Sequence, residues 1–230
     1  MNERLPPVHE IVRFWYRSEE AILDACVKFR KTPLPTVTLG WLRDVAPVVM
    51  TRGMSKLALR RAVRSSVDPL AHTSILNGVE LFYNFAVKHQ WKGNSVPASA
   101  YWLPSGDSVK AALVGRYRSE HTKSEWAVAL QPRQENIPDD IQFCMWRSVL
   151  FYEFCNNNDN VMVVDISKSP VSNKRVLREV TARKFPLLPK GELDMRLDLI
   201  RACYRRAIEI VPERPRFIGK KKESEPDFGF

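Results

Sequence analysis

The chain has 230 residues, 44% hydrophobic and 27% charged, a balance that can bury a proper core and that excludes wholesale disorder. Thirty-six Lys and Arg against 26 Asp and Glu leave a net charge of +10, which favours a polyanionic partner through counterion release but says nothing of the fold. The four cysteines form no CxxC pair and the four histidines are scattered, so a closely spaced zinc site is not expected. Buried free thiols in a reducing, intracellular compartment are the plain expectation. No apolar run approaches the ~20 residues of a membrane-spanning helix, and Met1–Pro7 lacks the apolar core of a secretory signal.

In chain order, Val8–Lys31 reads as one amphipathic helix with Ile11, Trp15, Ile22, Cys26 and Phe29 near one face. Thr32-Pro-Leu-Pro-Thr36 stops it. Leu39–Met50 is a shorter helix that Pro47 is expected to interrupt, and Ser55–Val67 is a helix with Lys56, Arg60 and Arg64 as a basic ridge. His72–Gln90 carries a wide apolar stripe; Glu80 lies near it as a satisfied core carboxylate.

Lys92–Ser99 reads as a polar turn. Strands are then expected at Ala100–Leu103, Ala111–Arg118 and Glu125–Gln131, the last two as a hairpin. Asp139 opens a helix to Cys155 that is apolar almost all round and belongs in the middle of a fold. A turn at 156–159 leads to the strand Val161–Ser167, after which the chain turns basic at 173–184. Glu192–Val211 is the terminal helix.

These elements add up to a helix-rich α+β protein. N-terminal helices occupy 1–91; an α+β region over 92–211 shares one core with them and holds a small mixed sheet (about 100–167) crossed by the buried helix. An extended tail covers 212–230.

Neither GxxxxGK[ST] nor GxGxxG occurs, nor HExxH or GxSxG, so no cofactor is expected. The order helix, strands, hairpin, helix, strand over 72–167 resembles the restriction-endonuclease-like nucleases. The resemblance implies a metal ion held by an acid on one strand and an acid-x-Lys on the next. Asp107 would supply the first acid, and Leu130-Gln-Pro-Arg133 sits where the second motif would lie. The motif departs there: Gln131 replaces the carboxylate, and Arg133 cannot titrate as a base. Asp165 at a strand end, with Lys168 nearby, completes the candidate catalytic set; the competing reading has Asp165 capping its own turn.

Candidate phosphate contacts are Lys56, Arg60 and Arg64, then Lys174, Arg175, Arg178, Arg183 and Lys184, and Arg205 on the terminal helix. Tyr101, Trp102 and Tyr117 are candidate stacking aromatics. The tail end Ser224–Phe230 resembles the acidic-aromatic tips of single-stranded DNA-binding proteins, which implies Phe228 and Phe230 as anchors for a protein partner. The expectation is therefore a non-enzymatic basic subunit of a larger ribonucleoprotein or protein complex, meeting RNA ahead of DNA, other subunits, or both. A degenerate metal-dependent nuclease and a purely structural interaction subunit are the alternatives.

Overall fold

A computed structural model describes residues 4–32, 40–51, 53–66, 72–121, 123–131, 137–155, 160–167 and 174–215. Around a five-stranded mixed sheet, two sets of helices pack on opposite faces, which makes the chain a helix-rich α+β protein.

The first helical stretch is divided. α1 (Val8–Ile11) runs into a 3-10 turn at Val12–Phe14, and α2 (Glu19–Lys31) starts afresh. The expected single helix fails because Ser18 is an N-cap: its Oγ accepts from Ala21 N–H at 3.2 Å, with Glu19 and Glu20 in the first turn. α3 (Gly40–Met50) keeps Pro47 inside it without interruption. The proline forfeits one backbone hydrogen bond, but Ala46, Val49 and Met50 around it are fully buried, and that packing holds the turn. α4 (Lys56–Ser66) and α5 (His72–His89) lie where periodicity puts them.

The next departure is β1 (Trp91–Asn94), a strand in the segment expected to be a polar turn. It pairs antiparallel with β4 (Gly115–Ser119), Gly93 opposite Tyr117. A Cβ on Gly93 would collide with Arg116 O, so only glycine allows so close an approach there. The expected strand Ala111–Arg118 is two strands of two sheets. β3 (Ser108–Ala111) pairs with β2 (Ser99–Trp102) in a separate ribbon, and β4 pairs with β5 (Glu125–Gln131).

α6 (Asp140–Phe154) is closed by a capping box: Gln142 N–H donates to Asp139 Oδ1 at 2.8 Å and Asp139 N–H to Gln142 Oε1 at 3.1 Å. Gln142 Nε2 also donates to Arg13 O and Trp15 O, fixing the break before α2. α6 carries the chain over to β6 (Asn160–Asp165), which lies parallel to β5, Gln131 opposite Asp165. β7 (Arg178–Val180) pairs antiparallel with β6, and α7 (Lys190–Ile210) ends the described fold. The strand order is β1-β4-β5-β6-β7.

Side chains alternate between two cores along β5 and β6. Ala127, Ala129, Val161 and Val163 join α1, α2, α6 and α7, whereas Val128, Leu130, Met162 and Val164 join α3, α4 and α5. The helices of residues 1–91 are thus shared between the faces. α6 is buried from Gln142 through Leu150, and its Arg147 donates to Val161 O at 3.1 Å and to Phe185 O. Burial pushes that guanidinium down to about 10, which leaves it charged at neutral pH. No helix among the described residues is long and apolar enough to cross a membrane.

Candidate nucleic-acid interface

The two candidate catalytic acids are far apart in the architecture. Asp107 sits in the turn of the β2–β3 ribbon, outside the main sheet, where Arg205 (2.7 Å) and Arg201 (3.4 Å) of α7 hold its carboxylate. Asp165 ends β6 and is fully buried. Its Oδ1 accepts from Ser167 N–H at 3.0 Å, an Asx-type turn, and its Oδ2 pairs with Arg178 of β7. Arg178 also donates to Ser167 Oγ at 2.8 Å, and Arg175 donates to Ile166 O at 2.8 Å beside the same carboxylate.

The order hairpin, helix, strand that the nuclease resemblance rests on is present as β4, β5, α6 and β6. Among the described residues its carboxylate motif is not. β4 reads Gly-Arg-Tyr-Arg-Ser, with no acid on the strand beside β5, and β5 ends at the buried amide of Gln131. Among the described residues no three His, Cys, Asp or Glu converge as metal ligands. Lys168 and Arg133 lie outside the described residues.

The candidate phosphate contacts divide in two. Lys56 and Arg60 both engage Glu80 of α5, at 3.4 Å and through Arg60 Nε at 2.7 Å; the carboxyl of Glu80 is held below its ordinary range chiefly by the Arg60 hydrogen bond. Glu80 is therefore satisfied at the surface between α4 and α5, and not in the core. Arg178 and Arg205 serve Asp165 and Asp107, and Arg175 braces the β6 end. Arg64, Lys174, Arg183 and Lys184 are exposed. Of the stacking candidates, Tyr101 and Tyr117 are buried, Tyr101 donating its hydroxyl to Asp194, and Trp102 is 66% exposed. Phe228 and Phe230 lie outside the described residues.

One basic site escaped the sequence reading. Arg116 and Arg118 project from β4 on the face opposite Tyr117, and Lys92 stands level with Arg118 on β1. With Gly93, Tyr117, Glu125, Trp126 and Ala127 they line a pocket of about 200 Å³ over β1, β4 and β5. The alternation in Gly-Arg-Tyr-Arg-Ser was the available signal, since two arginines two apart on a strand share a face. The third cation, Lys92, is hidden because Gly93 and Asn94 beside it favour a turn.

Comparison with known proteins adds a weak likeness. No family model matches the chain and no curated protein matches it. Among solved structures, one described as "Crystal structure of SSO0001" is similar over 80% of this chain and 84% of that one, at 9% identity and a TM-score of 0.36.

The four cysteines are free. Cys26, Cys144 and Cys203 are buried, and burial pushes the Cys26 thiol up to about 12, with the Cys203 thiol beside it adding to the rise. Thiols of that kind are inert packing groups.

Proposed function

We propose that this chain is a non-catalytic, basic nucleic-acid-binding subunit, meeting RNA or DNA through its backbone phosphates within a larger assembly. The observation that carries the reading is the disposition of Asp107 and Asp165. Each is paired with arginine in a different part of the fold, so the two do not converge to hold a hard cation. What remains for function is positive charge: a net +10, with Arg64, Lys174, Arg183 and Lys184 exposed and a cationic pocket on the sheet. The nuclease-like order of elements supports a scaffold that holds nucleic acid without cutting it.

The test is fluorescence anisotropy of labelled single-stranded and duplex RNA and DNA over a range of salt, with Mg²⁺ and Mn²⁺ cleavage assays in parallel. Binding that weakens steeply with salt and leaves the strands intact is expected. Metal-dependent cleavage abolished by Asp165→Asn or Asp107→Asn would replace this reading with the nuclease one. No binding even at low salt would remove nucleic acid from it altogether.

A further inference from the structure

We infer that the pocket over β1, β4 and β5 is a site for the phosphates of a single-stranded polynucleotide, with Arg116 and Arg118 as the phosphate ligands. The inference rests on the reading above and names its contact surface.

Register builds the site. Lys92, Arg118 and Glu125 lie side by side across the three strands, as do Asn94, Arg116 and Ala127, and the row Gly93, Tyr117, Trp126 runs between them. Arg116 and Arg118 are two residues apart on one strand, so their stems stand about 6.7 Å apart on the same face. That is the order of the separation between successive phosphates of an extended single strand. A cylindrical duplex would meet a flat sheet floor poorly, whereas one strand can lie along it.

The charges around the pocket are three cations and two acids. Lys92 pairs with Glu120, and Arg116 donates to Phe154 O at the end of α6. Glu125 faces Arg118 across the β4–β5 pair but makes no ion pair with it. Arg118 makes a single hydrogen bond, Nε to Lys123 O at 3.2 Å, and is in no ion pair among the described residues. That separates it from Arg60, Arg178, Arg201, Arg205 and Arg206, each of which spends its charge on a carboxylate of this chain. An exposed guanidinium at a pocket rim, with donors left over and no ion-paired acid among the described residues, is suited to a phosphate oxygen. Gly93 contributes by letting β1 approach β4 closely, which holds Lys92 level with Arg118.

The experiment titrates the full chain into a fluorescein-labelled oligouridylate over a range of KCl. Arg116→Gln with Arg118→Gln should weaken binding at least about tenfold and flatten the log–log salt slope by about 1.4, for two single-strand phosphates lost. Because Arg116 also holds α6, the pair Lys92→Gln with Arg118→Gln is measured as well; it leaves α6 untouched and should weaken binding several-fold. Arg64→Gln on α4, outside the pocket, should weaken binding less than either pocket pair. If the wild type binds and both pocket pairs bind equally well, the pocket assignment falls while the broader reading stands. If Arg64→Gln carries the loss, the surface is α4 and not the pocket. If polyglutamate competes as well as oligouridylate, the site takes acidic chains in general and the polynucleotide assignment is overturned. If the wild type does not bind, both readings fall together.

Discussion

The two ends of the main sheet treat charge in opposite ways. At the β6 end, Asp165 is fully buried and its charge is met by Arg178, with Arg175 close by, so the cluster closes on itself. At the β4–β5 hairpin end, Arg116 and Arg118 stand exposed beside a pocket, and Arg118 has no carboxylate partner among the described residues. The difference teaches that a basic composition does not identify a basic surface. Most of the arginines that looked like phosphate ligands hold the fold together, whereas Arg118 sits on a strand that composition does not single out.

The comparison breaks most visibly at the closed end. Asp165→Ala strands the Arg178 charge and the Ser167 amide, and should lower stability by about 2–4 kcal/mol in urea unfolding. Asp165→Asn keeps an acceptor for Ser167 and should cost less than the alanine. Equal losses for the two would mean that the charge on Asp165 matters little.

A smaller effect is expected between α4 and α5. Glu80→Gln should lower stability by less than about 1 kcal/mol, because the pair is partly exposed. It releases Lys56 and Arg60, so polyanion binding should tighten and its salt slope steepen. Unchanged binding would show that α4 does not face the ligand.

The same carboxyl sets a pH dependence. Its folded pKa lies below 4.5, so its contribution is fully present above pH 4.5 and is lost as pH falls through the depressed folded value. Glu179 behaves alike: burial pushes it up, but hydrogen bonds from Lys88 and His89 of α5 more than offset that and bring it below 4.5. Urea midpoints should therefore fall on acidification below pH 4.5, and Glu80→Gln should blunt the fall.

The smallest effect on stability belongs to the open end. Arg118→Gln should leave the urea midpoint within about 0.5 kcal/mol of the wild type, as a surface change with one hydrogen bond at stake. A large loss there would move Arg118 into the class of Arg178.

Long, strongly patterned elements were legible. α5 follows from its apolar stripe and α6 from being apolar almost all round, and β5 and β6 follow from short β-rich runs bounded by turns. β1 was not legible, because Gly93 and Asn94 have poor strand propensity and are admitted only by the close approach of β4. β3 and β4 are indistinguishable from one strand in the sequence because Ala111–Val114 is continuously apolar, although the chain changes sheets within it. β7 is three residues of a basic segment and owes its existence to β6. The candidate site suffered for a related reason. Arg60 meets Glu80 twenty positions on, and Arg205 meets Asp107 ninety-eight positions back. Ion pairs at such separations leave no local trace, so which cations are spent internally is decided only by the fold.

The packing of α2 on α7 bears on the order in which this protein can be made. Arg30, fully buried on α2, donates to Val211 O at 2.6 Å and to Pro212 O at 2.7 Å, across 181 and 182 residues. Ile22 and Cys26 on the same helix lie in the core that α7 shares. On the ribosome, α2 emerges well before α7, so everything between them is synthesised before that face is shielded. A chain cut ahead of α7 would leave that flank of the core open.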